Sequence, residues 1–307
     1  MKNIIMFILC CAVLLPGCAT TGVKTMNAMS VKETETVQSQ YTGPKRRIAV
    51  IDFENKTKYG ARRLGNSASD ILVTELVKSD KFIVIEREKL NKIIEEQKLS
   101  MTDLIDQDSA VQAGKLLGVS AIVTGSISQF GVKEESVDAL LVQTKNQIAQ
   151  AVVDIRVIDV ETGEIIYADS GKSEVKKKFS TALGLGSKGS YDETIEGEAL
   201  RAAIVKFVNN IIFQINQKPW FCKIVQVKEP DIYLNAGKQS GLKLKTKLKV
   251  FRQGDEIKDP DTGKVLGTDE KEVAVIEVER YFGENGSVAR LVSGKLQEQT
   301  GICRITD

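Results

Sequence analysis

The chain has 307 residues, 42% hydrophobic and 27% charged, with only 5 prolines. That is an ordinary globular composition, with room for one large domain or two smaller ones. A net charge of +2 gives no global field to recruit nucleic acid, and the absence of histidine removes His-based triads, His metal sites and the usual near-neutral general base.

In chain order, residues 1–17 read as a signal peptide. Lys2 supplies the positive start and "IIMFILCCAVLL" the apolar core. That core is too short for a bilayer-spanning helix, which needs ~20 apolar residues. Leu15, Pro16, Gly17 and Cys18 resemble a bacterial lipobox. The resemblance implies cleavage after Gly17 and acylation of Cys18; a plain secretory signal is the alternative. No Asp follows Cys18 to signal inner-membrane retention, so an outer-membrane, mostly periplasm-facing location is implied. Several acyl chains on one cysteine would hold the chain firmly, since one chain alone binds marginally. Residues 18–44 are small and polar without an apolar period, and read as a flexible tether.

An α/β body is predicted over 45–218. It opens on "KRRIAVIDFENKTKYGARRLG", with a strand over 47–53 and a helix over 62–79. Asp52 and Glu54 project to one side of a strand, an arrangement that acid/base chemistry uses. No second constellation accompanies them. Asp and Asn side chains also start loops by bonding nearby backbone, so the stretch reads as scaffold. "KFIVIER" is a short strand, "REKLNKIIEEQKL" an amphipathic helix, and "SAVQAGKLLG" a helix ending at Gly118. Strands "VSAIVTGSI" and "AQAVVDIRVIDV" follow, then a hairpin turning at Thr162-Gly163. Helix "ETIEGEALRAAIVKFVNNIIFQIN" closes the body.

"QKPW" marks a change to short β segments over 219–307, a small all-β domain, sandwich or barrel-like. "LKLKTKLKV" alternates: Leu242, Leu244, Leu248 and Val250 toward a core, Lys243, Lys245, Lys247 and Lys249 outward. Those lysines read as a solvated or protected edge face, with a grip on lipid headgroups or polyanions as the sharper alternative. Asp259 and Asp261 in "DPDTGK" read as a β-turn rather than a calcium loop, for want of a spaced bidentate glutamate. Cys222 and Cys303 are left after processing and acylation. In an oxidising compartment they invite a disulfide; two buried unpaired thiols are the alternative.

The segments "IAVIDFENKT", "LVTELVKSDKFIVIERE", "AGKLLGVSAIVTGSI", "VDIRVIDVETGEII" and "EGEALRAAIVKFVNNI", in that order behind a lipobox, resemble the CsgG/HfaB family of outer-membrane lipoproteins, which includes the curli secretion channel. The last 85 or so residues are similar to the small β domain at the C-terminus of the flagellar-assembly protein FlgT. The resemblance implies a CsgG-like α/β domain, two β-hairpins lent to a multi-subunit barrel, and a homo-oligomeric ring. The candidate hairpins are 129–150 and 171–194. In the second, Val175, Phe179, Leu183 and Leu185 share a side that would face lipid, interrupted by Lys177. The loop at "ENKTKYGARRLG" is shorter than the one that narrows the curli pore, so no constriction residues carry over. "GLGSKG" (Gly184, Gly186, Gly189) fits a dinucleotide spacing, but no helix follows directly, and it reads as a turn.

The expectation is a non-enzymatic lipoprotein without cofactor or metal. It would form or scaffold a channel that exports surface fibre or appendage subunits. The alternative is a pore-less periplasmic adaptor, like the penicillin-binding-protein activator LpoB.

Overall fold

The computed structural model describes residues 41, 43–85, 89–90, 92–93, 107–139, 142–182, 185–186, 193–261, 265–296 and 301–306. Cys18 and the predicted tether, all but its last residues, lie outside them, as do most of the "REKLNKIIEEQKL" helix and Leu183.

Strand β1 (Arg46–Val50) alternates its side chains between two cores. Ile48 and Val50 enter one, Ala49 and Ile51 the other. The predicted strand ends earlier than its hydrophobic run. The chain leaves β1 at Val50, then makes a two-residue strand β2 (Glu54–Asn55) beside β4 (Ala121–Ala139). Asn55 organises the turn that follows. Its Oδ1 accepts from the Thr57 amide and hydroxyl, and its Nδ2 donates to the carbonyls of Tyr59 and Ala61. The opening stretch is therefore scaffold.

Helix α1 (Ala61–Lys78) returns the chain to β3 (Phe82–Ile85), parallel to β1 on its outer side. Helix α2 (Gln107–Leu117) then leads to β4, parallel to β1 on the inner side. The two crossovers run in opposite directions along the sheet. Right-handed connections therefore place α1 and α2 on opposite faces. The buried sets agree: Leu64, Leu72 and Leu76 of α1 share a core with Ile48, while Ala110 and Ala113 of α2 pack with Ala49 and Ile122. Gly118, at φ +64, ends α2 in the left-handed conformation.

Beyond β4 the sheet is antiparallel. Strands β5 (Val142–Asp159) and β6 (Ile165–Ala182) pair along nearly their whole length, and β7 (Leu185–Gly186) adds a short edge. The order is β3-β1-β4-β5-β6-β7. Helix α3 (Thr194–Asn216) buries Ile195, Leu200, Ile204, Phe207 and Ile211 against β5, β6 and α1. Two contacts set how closely it lies on β6. Ser173 donates to the Ala199 carbonyl at 2.6 Å, and a Cβ on Gly171 would stand 2.1 Å from the Ala203 oxygen.

Strands β8 (Phe221–Lys228), β9 (Asp231–Leu234), β10 (Lys247–Lys258), β11 (Val265–Phe282), β12 (Gly286–Gly294) and β13 (Ile302–Ile305) close into a barrel in the order β10-β11-β12-β9-β8-β13. Leu248, Val250, Ile276, Val278 and Leu234 fill it. The lysine-rich alternation is only half realised. The strand begins at Lys247, Lys245 has φ +66, and Leu244 is 44% exposed rather than in the core. The turn before β10 breaks the period. Lys245 and Lys249 pair with Glu277 and Glu272 of β11, a solvated face.

Body and barrel are joined by polar contacts at one end of the sheet. The Lys45 amide donates to the Ser240 carbonyl at 2.7 Å, and the Trp220 indole donates to the Lys45 carbonyl. Arg46 donates to the Lys218 carbonyl, and Lys218 pairs with Asp159 at 2.7 Å.

Candidate functional site

Strands β4, β5 and β6 have 19, 18 and 18 residues. At a rise of 3.2–3.4 Å per residue each is roughly 60 Å long. A mean strand of 5–6 residues would suffice for the core. The excess projects past the helices as an arm, at the end of the sheet away from the barrel.

The face under α3 can be followed rung by rung through the register. Phe130, Ala151 and Ser173 form one rung, and Val132, Ala149 and Val175 the next. Both are closed over, with Ala149, Ala151 and Val175 buried and the Phe130 ring tilted against Tyr59, centroids 4.9 Å apart. The following rung is polar: Glu134, Gln147 and Lys177. Gln147 donates to Glu134 at 2.9 Å, and Lys145 pairs with the other Glu134 oxygen at 2.8 Å. The bond from Gln147, then that from Lys145, holds the Glu134 carboxyl below its ordinary pKa. Lys177 is buried where α3 begins; it donates to the Thr194 hydroxyl and pairs with Glu198 at 2.9 Å. The opposite face carries charge at the same level. Lys133 pairs with Glu135 at 3.1 Å and Lys176 with Glu174 at 2.9 Å, while Gln150 donates to Glu174.

This geometry corrects the predicted lipid face. Val175 is 3% exposed and belongs to the core beneath α3. Lys177 does not interrupt a lipid face; it terminates the helix-covered one. Phe179, half-buried, lies one rung beyond. Leu185 is in β7, but its side chain lies outside the described residues, as does Leu183. The alternating pattern could not show this, because a strand face under a helix and one in a bilayer have the same period. From the polar rung to the tip, about six residues per strand remain, against the ~9–11 of a spanning strand.

Elsewhere on the body, ion pairs hold α1 to α3. Glu196, 5% exposed, accepts from Tyr59 at 2.7 Å and from Arg63 at 2.8 Å. That hydrogen bond, with the charge of Glu196, raises the Arg63 pKa. Glu75, fully buried, pairs with Arg201. Sequence periodicity flagged neither pair, since each joins residues more than 120 positions apart. Among the described residues no group of three or more His, Cys, Asp or Glu is placed to hold a metal, and no helix is long and apolar enough to cross a membrane. The latter says nothing of crossing by strands.

Cys222 and Cys303 lie opposite each other across β8 and β13. Both are free thiols in this structure, buried in the barrel. A hydrogen bond to Cys303, then burial, pushes the Cys222 thiol well above its ordinary pKa.

Residues 29–238 match the family described as curli production assembly/transport component CsgG. The chain belongs to the CsgG family. A provisionally named lipoprotein of Neisseria meningitidis serogroup B, NMB1126/NMB1164, is 31% identical over 219 residues, covering 68% of this chain and 92% of that one. The curli component CsgG of Escherichia coli K12 is 27% identical over 218 residues, covering 63% and 78%. Among solved structures, the LpoB C-terminal domain from Salmonella enterica is 16% identical with a TM-score of 0.31, covering 47% of this chain and 91% of that domain. A score that low carries no argument. CsgG membership is that of a transport and assembly component, which accords with a non-enzymatic chain.

Proposed function

We propose that this CsgG-family chain is an outer-membrane lipoprotein, acylated on Cys18 after cleavage at Gly17. It assembles into a homo-oligomeric ring that scaffolds an export channel for surface fibre or appendage subunits. The arm carries this reading. A monomer gains nothing from three strands that run on past their own core, whereas a ring of copies can pack such arms side by side. The polar rung at Glu134, Gln147 and Lys177 favours scaffolding over a lipid-exposed barrel, because the strands run on beyond it for only about six residues, short of the ~9–11 that a spanning strand needs.

The charge on both arm faces also supports a second reading, the pore-less adaptor. Negative-stain imaging of the detergent-extracted protein separates the two. Rings are expected; a monomer or dimer that captures one envelope partner would replace the scaffold reading with the adaptor. Planar-bilayer recording adds a third arm, since steady single-channel conductance would restore the barrel.

We also infer that Cys222 and Cys303 oxidise to a disulfide after export, since they are already opposite neighbours. The loop is long, so the chain-entropy estimate is roughly 4 kcal/mol. Two maleimide-reactive thiols in the denatured, unreduced protein from the envelope would rule the bridge out.

A further inference from the structure

A cleft of about 450 Å³ lies where body and barrel meet. It is walled by the start of β1, the end of α2, the β5–β6 turn, the 218–223 linker and the barrel rim. That volume is in the range of small-molecule sites. Its charge is lopsided. Seven basic side chains line it against two acids, Asp159 and Glu161.

Four of the seven are occupied. Arg46 holds Asn216 and the Lys218 carbonyl, and Lys218 holds Asp159. Lys45 pairs with Asp80, and Arg304 grips Glu270 through two bonds of 2.6 and 3.0 Å. Asp159 is itself used up, since its other oxygen accepts the amides of Glu161 and Thr162 at 3.0 Å.

Arg47, Lys115 and Lys223 remain. They come from three separate elements, yet none has a side-chain partner among the described residues, and all three line the same cleft. Arg47 is the telling one. Its Nε is buried without any hydrogen-bond partner, and burial lowers the pKa of its guanidinium. An unsatisfied buried donor costs ~1–3 kcal/mol, more for a charged group. A ligand oxygen would remove that cost. Neutral donors and an apolar wall complete the site. Asn235 spends its Oδ1 on the Lys223 amide, which leaves its NH2 group to donate, and Ile83, Val119 and Trp220 form an apolar side.

We propose that this cleft binds a small phosphorylated molecule, its phosphate held by Arg47, Lys115 and Lys223 and its organic part against Ile83 and Trp220. A carboxylate has two oxygens and one charge. Three unpartnered cations from three elements match the greater charge and three terminal oxygens of a phosphate monoester. Two sources offer that chemistry: a soluble phosphate monoester, or the monoester headgroup of phosphatidic acid. The second source rests on acylation of Cys18. Lys45 lines the cleft, and if the predicted tether over 18–44 is a flexible coil it would span about 30 Å, within reach of the membrane surface.

The test uses the full chain in two settings. In neutral detergent, sn-glycerol 3-phosphate and inorganic phosphate are titrated calorimetrically, with glycerol and sodium chloride as controls. In nanodiscs, thermal stability is compared between phosphatidylcholine with phosphatidic acid and phosphatidylcholine with phosphatidylglycerol, a diester of like sign. Binding or stabilisation is expected in at least one setting, and it should fall about tenfold in Arg47→Gln and in Lys115→Gln, each losing one charge-assisted bond. Response to the soluble ester assigns a free ligand; response to phosphatidic acid alone assigns the headgroup. No response of the wild type in either setting overturns the proposal. So does a response that both variants retain. Lys115 is exposed on α2, so its variant decides the matter even where Arg47→Gln fails to fold.

Discussion

The two halves of β4–β6 share one hydrogen-bond ladder and little else. In the half nearer β1, every second side chain enters a core closed by α1 and α3, with Ala149, Ala151, Val153, Ile155 and Val157 of β5 buried in sequence. In the far half, the ladder continues with ion pairs on both faces. The backbone is equally satisfied in both. The difference shows that pairing alone sets the shape of a strand, while side-chain cover decides whether it is stable on its own. A two-stranded hairpin in water is marginal, and a third strand helps only with an apolar face. The far half has no such face among its described side chains; in the proposed ring its cover would be another copy of itself.

Variants can test that contrast. Arg201→Ala should act almost wholly on the covered half. It leaves the buried Glu75 with only Lys78, 3.4 Å away, and Glu75 already has one unpartnered oxygen. Breaking a buried pair costs ~3–5 kcal/mol, and denaturant unfolding should report a loss of that order. Gly171→Ala strikes where α3 meets the ladder. The new Cβ must push aside the Ala203 carbonyl, so a loss of ~1–3 kcal/mol is expected. A wild-type midpoint in either variant would show that α3 is not what stabilises the covered half.

Phe179→Arg is the smallest expected effect and the sharpest. In an arm bathed by water or packed on polar neighbours it is near a surface change, within about 0.5–1 kcal/mol. In lipid it would cost ~2–4 kcal/mol per subunit near the midplane. Membrane-extracted assemblies that vanish in this variant, while the body still folds, would return the arm to the bilayer.

Much of the covered half was legible in the sequence. Period-2 alternation in "AQAVVDIRVIDV" gives the buried set of β5, and the turn at Thr162-Gly163 is realised with Gly163 at φ +73. The spacing of Leu64, Ala68, Leu72 and Leu76 locates α1 to within a residue. What alternation cannot carry is the identity of the medium facing a strand. Val175 read as lipid-facing because α3, which covers it, lies some twenty residues further along the chain. The cleft cations were illegible for the same reason. Lys45, Arg46 and Arg47 are an evident basic run, but topology alone brings Lys115 and Lys223 to Arg47. Leu244 failed differently: the turn conformation at Lys245 halts the strand inside a regular pattern.

The register of β5 on β6 has one more consequence, which concerns how such an arm can change its length. From Val157 opposite Tyr167 out to Val142 opposite Ala182, the pairing runs without a shift. Gly171 and Ser173 fasten β6 to α3 at a fixed point. Any residue added or lost beyond that point in one strand turns all later side chains to the opposite face. Deleting Lys176 alone would bring Lys178 into the place of Lys177 and turn Phe179 to the other side. The arm can therefore lengthen or shorten only in steps of two, taken together in β4, β5 and β6.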